Sequence, residues 1–342
     1  MLNPDDVTLR LKETFLRHIE EVEKREKMEA VSEAATSLHR DGSVKATARQ
    51  YSLVVDEPEA HGGADAGPTP EELALSQAGS CQSITASLYA ALLDIGLRSY
   101  DVELRGEVDR NGGISRVETL TRIDAEADED KVRDFQRRVE ERCVGLASLR
   151  RQVEVESSVR EVSTTSGEGI AAPDVSGDDE ARIPPDEVKA PVHLRKQLTV
   201  EVKPRHFSVL ADWPPFMGGV GAGPTSEEIL LSSLGACQTI TVARFASARG
   251  VPLSRYDVGL KGNYDLSGLF GIRVGMQGLQ RVSMEAAIEG GADEDVLRDI
   301  HAQALSRSLL ALTMRRSVPI ESHLEVAGRK IRRWFIPKPT DA

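Results

Sequence analysis

The 342-residue sequence predicts an α+β fold with antiparallel sheet, written twice and closing on itself as an intramolecular pseudo-dimer. Three observations predict it. The segment "AGPTPEELALSQAGSCQSIT" (Ala66 to Thr85) returns as "AGPTSEEILLSSLGACQTIT" (Ala222 to Thr241), 156 residues later, and repetition at a fixed offset marks a duplicated unit. Each copy runs through the same order of patterns: alternating strands, a long helix, two more strands, a second helix and a last strand. Between the copies lies "STTSGEGIAAPDVSGDDEARIPPDEVKAP", rich in Gly, Pro, Ser and acid. It has too little apolar surface to offset the entropy of ordering and reads as a flexible acidic linker.

These patterns divide the chain into an N-terminal helical extension (1–37), a first copy (38–162), the linker (163–191) and a second copy (192–342). In the extension, Leu11, Phe15, Ile19 and Val22 share one face of an amphipathic helix. The first copy opens on "SVKATARQYSLVV", which alternates as one or two strands. A long helix follows from Pro70 to about Ile95. Thr69 stands at its N-cap, Pro70 at N1 and Glu72 at N3, a capping box with the favoured proline. Thr225 and Glu228 repeat the box. Gly96 and Gly250 stand where such helices stop. Gly79 and Gly235 each cost about 1 kcal/mol against alanine in a helix interior, so another backbone is expected close by, that of the equivalent helix. "YDVELRGEV" and "VETLTRIDAEA" then alternate as paired strands. "DEDKVRDFQRRVEERCVGLAS" reads as a second helix holding Cys143, and "QVEVESSVREV" as the closing strand. In the second copy the offset grows from 156 to 165 towards the end, which places a short insertion near residues 265 to 278.

The formal charge of -12, from 43 basic and 55 acidic residues, argues against a nucleic-acid or anionic-membrane binder, which needs a basic face. The charged N-terminus lacks the apolar stretch of a signal peptide, and no apolar run reads as long enough to cross a bilayer. The expectation is a soluble, cytoplasmic protein.

Three cysteines are too few for a secreted disulfide framework, so each is a buried small hydrophobe or a working thiol. A nucleophilic cysteine must ionise, and Cys81 lies about three turns into its helix, too far for the helix end to help. An arginine must supply the charge; Arg40, Arg49 and Arg142 are the candidates. Oxidation by a peroxide leaves a sulfenic acid, which a second thiol captures as a disulfide. Cys143 is available to do so for Cys81. The repeat places Ser308 opposite Cys143, and a hydroxyl cannot close a disulfide, so the half containing Cys237 is chemically incomplete. Glu71 and Glu227 stand ten residues before their own cysteines, about 15 Å along a helix. If the two long helices cross antiparallel, Glu227 instead approaches Cys81 and Glu71 approaches Cys237, with Ser76 and Ser232 near the crossing. The alternative is that both glutamates simply favour the helix start electrostatically. There is no HExxH, CxxC or cluster of metal ligands, and the Gly-Gly pairs at 62–63 and 218–219 read as turns, not phosphate cradles.

"GPTPEELALSQAGSC", with a later cysteine-bearing helix, resembles the OsmC/Ohr family, the osmotically inducible and organic hydroperoxide resistance proteins. The resemblance covers roughly 38 to 160 and 193 to 328. It implies an OsmC-like fold in which long central helices are wrapped by antiparallel sheets. Family members are intertwined homodimers, so this chain resembles a fused dimer. It also implies a thiol peroxidase reducing organic hydroperoxides, with Cys81 the peroxidatic and Cys143 the resolving thiol. Arg40, in "RDG", would stabilise the thiolate, and Glu71 or Glu227 would hold that arginine. Recycling would come from a lipoyl-bearing protein or another dithiol, with no metal and no nicotinamide cofactor. An apolar pocket lined from both copies would favour organic peroxides over hydrogen peroxide. The sequence departs from the family in "CVG" where "CPV" is usual. In the second copy "LRKQ" replaces "HRDG", leaving Arg195 or Lys196 as a substitute, and Cys237 with Ser308 forms a degenerate site. A non-catalytic redox-sensing or small-ligand-binding protein is the competing reading.

Overall fold

Each long helix lies against a sheet assembled from both copies. The structure, a computed structural model, describes residues 4–25, 28–109, 112–164, 187–196, 198–273, 277–326 and 328–336. In the first half the elements are α1 (Pro4–Arg25), β1 (Glu29–Leu38), β2 (Val44–Ala48), β3 (Tyr51–Val55), α2 (Pro70–Leu92), β4 (Gly96–Val108), β5 (Ile114–Glu126), α3 (Glu129–Arg142), α4 (Val144–Arg150) and β6 (Glu154–Thr164). The second half repeats them as β7 (Glu187–Lys196), β8 (Thr199–Val202), β9 (Val209–Ala211), α5 (Ser226–Ala248), β10 (Leu253–Asp265), β11 (Gly278–Gly290), α6 (Glu294–Arg307), α7 (Leu309–Met314) and β12 (Ile320–Val326), and adds β13 (Arg329–Ile336).

The strand orders are β3-β2-β1-β10-β11-β6 and β13-β12-β5-β4-β7-β8-β9. Each sheet therefore takes three strands from one copy and two from the other, and then strands returned from the first: β6 in one sheet, β12 and β13 in the other. β1 runs antiparallel to β10, with Thr36 opposite Val258, and β7 antiparallel to β4, with Val192 opposite Val102. The returned strands differ from the all-antiparallel expectation: β6 lies parallel to β11, and β12 parallel to β5. Each follows a pair of helices, β6 after α3 and α4 and β12 after α6 and α7, and so passes from one sheet to the other.

This exchange redraws the domain boundaries. Residues 29–37, assigned to the N-terminal extension, are most of β1. The linker expected over 163–191 begins inside β6 and ends inside β7, and 165–186 lie outside the described residues. The expected insertion is the β10–β11 connection, 266–277, against 109–113 between β4 and β5.

α2 and α5 form the centre. α2 is buried from Pro70 to Ala91, as befits a helix apolar or small on every face. α5 is long and apolar enough, by length and composition, to cross a membrane, contrary to expectation; 89% of its most apolar window is covered by the rest of the fold. Both capping boxes form: Thr69 Oγ1 accepts from Glu72 N at 3.2 Å and Glu72 accepts from Thr69 N at 2.8 Å, with Thr225 and Glu228 matching. The close neighbour of the interior glycines is the sheet, not the partner helix. A Cβ on Gly79 would stand 2.6 Å from Leu104 and 2.7 Å from Val192, and one on Gly235 would stand 2.6 Å from Leu260 and 2.8 Å from Thr36. In each case the two contacts come from different copies, so these glycines fit each helix against the exchanged strands. Gly250 takes the left-handed stop position after α5 (φ 64°), but after α2 it is Asp94 (φ 50°) that does so, and Gly96 begins β4.

The face expected on α1 is the one that packs: Leu11, Phe15 and Val22 are buried. Phe15 meets Tyr89 of α2 edge-on at 5.6 Å and Phe270 of the insertion at 5.2 Å, and Lys12 pairs with Asp94 at 2.7 Å. α1 thus covers one side of a molecule that is otherwise close to twofold.

Candidate active site

The helix expected over 128–148 is two helices. Cys143 stands at the break in an extended conformation (φ −67°, ψ 119°), closing α3 and capping α4. Its sulfur accepts from Leu146 N at 3.4 Å. The break turns the chain so that Gly145 N–H donates to Cys81 Sγ at 3.1 Å. The Cys143 thiol stands close enough to Cys81 to act on its proton, and both are reduced and buried, Cys81 at 5% exposure.

Residues of both copies enclose Cys81. Ser80 and Ser226 hydroxyls meet at 2.9 Å, which sets the first turn of α5 beside the middle of α2. Glu227 consequently faces Cys81 closely enough for its charge to act on the thiol, as the antiparallel arrangement requires. The Tyr264 hydroxyl donates to Glu227 O at 3.3 Å. Burial holds the Glu227 carboxyl above its ordinary range. Glu71 is buried in the first turn of α2, as Glu227 is in α5, and Ser76 and Ser232 are buried on the same helices.

The thiolate is not favoured in this arrangement. The Cys143 thiol, burial and the Glu227 charge push the Cys81 thiol well above the usual range, against the lowering effect of the Gly145 N–H. None of these groups is a cation. Arg40 does not reach the thiols: it is exposed in the β1–β2 turn. "RDGS" folds locally, with Asp41 Oδ1 accepting from Ser43 N (3.0 Å) and Ser43 Oγ (2.7 Å) and Gly42 at φ 85°, and that turn directs Arg40 to solvent. In the second copy Arg195 is exposed and paired with Glu201, so it is no substitute either; the Lys196 side chain lies outside the described ones. Arg142 donates to the Tyr89 hydroxyl at 2.8 Å, and that hydroxyl donates to Leu269 O at 2.5 Å, tying α3, α2 and the insertion together.

The arginine–glutamate pairs that do form are one residue along and between copies. Arg49 grips Glu228 (2.5 and 2.8 Å), and Arg205 grips Glu72 (2.8 Å). Both arginines adopt the left-handed backbone conformation, at φ 49° and 50°. Each glutamate therefore caps its own helix and anchors a turn of the other copy. The buried cation on the thiol side is Arg150, which is 4% exposed and donates to Leu146 O and Glu140 O at 3.2 Å. Burial lowers its pKa to about 10, opposed by the charges of Cys143 and Glu140. The sequence reading missed it, since "LRRQ" gives no sign which arginine turns inward.

In the second copy Ser308 occupies the place of Cys143, with the same extended backbone (φ −62°, ψ 118°), and its hydroxyl donates to Cys237 Sγ at 3.3 Å. Other groupings lie apart from the thiols. Glu118, Glu321 and His323 bring ligand atoms within 4.8 Å of one another on the second sheet, a grouping the sequence did not reveal, and Arg116 pairs with both glutamates there. A groove of about 460 Å³ crosses the first sheet, lined by Ala35, Arg49, Arg160, Lys261 and Glu285 among others; its lining includes no cysteine and is not the apolar pocket expected.

The family model described as OsmC-like protein matches residues 62–158 and again 219–323. No curated protein matches the chain. A solved structure, the OsmC like protein from Mycoplasma pneumoniae, is similar at 23% identity over 34% of this chain and 84% of its own, with a TM-score of 0.31. With more than half of its residues matched in two segments, each carrying one long helix and its cysteine, the chain belongs to the OsmC-like protein family as a tandem two-copy member.

Proposed function

We propose that this protein is a thiol-dependent peroxidase that reduces organic hydroperoxides to alcohols. Cys81 is the peroxidatic thiol and Cys143 the resolving thiol. The observation that carries the reading is the approach of the α3–α4 break to Cys81: Gly145 N–H donates to Cys81 Sγ, and the Cys143 thiol two residues earlier acts on the Cys81 proton. Cys81 attacks the distal peroxide oxygen; the O–O bond breaks, the alkoxide takes up the thiol proton and leaves as alcohol, and sulfur becomes a sulfenic acid. Cys143 then displaces water to form the disulfide. An external dithiol, a lipoyl group or similar, takes up the oxidising equivalents and restores both thiols. The Cys237–Ser308 site lacks the second sulfur and stops at the sulfenic acid.

Turnover of tert-butyl hydroperoxide with dihydrolipoamide tests this. Activity should vanish in Cys81→Ser, fall in Cys143→Ser and survive in Cys237→Ser. Equal rates for the parent protein and Cys81→Ser would end the peroxidase reading. The burial of Cys81 and its raised thiol pKa favour a second reading, a redox sensor or ligand-binding protein without turnover. A protein that accepts one oxidising equivalent and is not restored by dithiols would support that one.

A further inference from the structure

Gln77 lies one turn before Cys81 on α2, and residues four apart share a helix face. Its side chain is fully buried, and neither Nε2 nor Oε1 finds a hydrogen-bond partner among the described residues. Buried amides with both ends unpaired are rare in folded proteins and call for a physical reason. The reason lies next to the sulfur. The point where a Cβ on Gly145 would stand is 2.6 Å from Gln77 Nε2 and 2.8 Å from Cys81 Cβ, and Gly145 N–H donates to Cys81 Sγ. Amide, backbone donor and thiol converge on one corner.

The other copy shows what the corner becomes without this demand. The positions aligned with Gln77 and Gly145 are Ser233 and Leu310. Ser233 Oγ turns back onto Leu230 O of its own helix at 2.7 Å, and Leu310 is fully buried. At these two positions the second copy has a hydroxyl bonded to its own helix and a buried leucine, with no long amide. The unpaired amide accompanies the cysteine that has a second cysteine to resolve it.

We propose that Gln77 is the oxygen-binding residue of the Cys81 site, holding the reacting HO– group of an organic hydroperoxide and then that of the Cys81 sulfenic acid. The proposal rests on the peroxidase reading above. An amide offers one donor and one acceptor to a hydroxyl that needs both, which neither an ammonium nor a carboxylate does. In the step Cys–SH + ROOH → Cys–SOH + ROH, the S–O bond forms as the O–O bond breaks, sulfur is oxidised, and the alkoxide leaves with the thiol proton. Gln77 Nε2–H donates to the transferred oxygen throughout, and Oε1 accepts its O–H before and after transfer.

The test is single-turnover oxidation of Cys81 in the full chain by cumene hydroperoxide, read as loss of the Cys81 thiol by mass spectrometry, beside a thermal melt. Gln77→Leu should slow oxidation by at least about tenfold, the value of one hydrogen bond to a developing charge. It should leave the melting temperature of the reduced protein unchanged or raised, because an unpaired buried amide has gone. In a Cys143→Ser background it should also reduce dimedone trapping of the sulfenic acid. Gln77→Met, of the same length, serves in its place if the leucine variant melts early. Oxidation at the parent rate in either variant overturns the assignment and leaves Gln77 a packing residue. A parent protein whose Cys81 ignores hydroperoxide overturns the peroxidase reading and the assignment together.

Discussion

Giving the second copy its missing sulfur should convert the silent half into a second thiol pair. In Ser308→Cys the new side chain starts from a hydroxyl that already stands 3.3 Å from Cys237 Sγ, on a backbone matching that of Cys143 to within a few degrees. A disulfide bond of about 2.0 Å asks for a closing movement on the order of 1 Å. The cross-link spans 71 residues of chain. Loop-closure entropy for that length stabilises the folded state by about 4 kcal/mol. For a chain of this size that is a rise in melting temperature on the order of 5 °C. The assay is diamide or tert-butyl hydroperoxide oxidation followed by non-reducing peptide mapping, with melts before and after reduction. Added to the Cys81→Ser, Cys143→Ser double variant, Ser308→Cys should also restore hydroperoxide consumption, at a rate at least about tenfold below the parent's because Ser233 stands where Gln77 does. The reasoning fails if Cys237 stays a free thiol under conditions that close Cys81 to Cys143, since the pseudo-twofold correspondence would then not extend to chemistry.

Three further outcomes follow from the same geometry. Because the Cys143 side chain, burial and the Glu227 charge hold the Cys81 thiol above its ordinary range, its thiolate is the minor form at neutral pH. Stopped-flow oxidation should therefore climb about tenfold per pH unit from pH 6 to 9 without a plateau, with Glu227→Gln moving the profile to lower pH; a flat profile would contradict it. The same raised pKa makes the folded state bind its proton more tightly than the unfolded chain, so this contribution to stability is complete below the ordinary thiol range and is lost as pH rises above it. Gly79→Val drives side-chain atoms into Leu104 and Val192. Urea melts should show a loss of about 1–3 kcal/mol, and an unchanged midpoint would mean the helix does not lie that close to the exchanged strands. Cutting the folded chain at a protease site engineered within 165–186 should leave both fragments in one peak on gel filtration, melting in one transition, because β1, β6, β7 and β12 each pair with strands of the other copy. Fragments that part and melt separately would contradict the shared sheets.

Some of this was legible because it is local. Thr69 and Glu72, with Thr225 and Glu228, announce the helix starts by chemistry within four residues. The apolar face of α1 follows from spacing alone. The repeat register placed Ser308 on Cys143 and, with an antiparallel crossing, Glu227 on Cys81. What failed is what depends on partners distant in the chain. Nothing in "EAVSEAATSL" says that it will pair with "LSRYDVGLKGNYD", and its small side chains alternate too weakly to mark β1. Neither Cys143 nor the residues flanking it are Gly or Pro, and helical spacing continues across the break; in the fold it brings Gly145 N–H to Cys81 Sγ. Arg40 belongs to a motif that the structure spends on a hairpin turn, whereas Arg49, a candidate for the thiolate, instead holds the copies together through Glu228, as Arg205, which no motif marks, does through Glu72. Gln77 is one of several differences between the two long helices, Gln against Ser, and only its burial and unpaired amide give that difference meaning.

One measurement bears most directly on the thiol pair. The reduced protein is treated with one equivalent of tert-butyl hydroperoxide, quenched in acid with an alkylating agent and mapped by mass spectrometry without reduction. If Cys81 and Cys143 form the working pair, the chain loses two hydrogens, the peptides holding these two cysteines appear joined, and Cys237 is recovered alkylated. A chain that keeps all three thiols, or that joins Cys237 to either of the others, would contradict it.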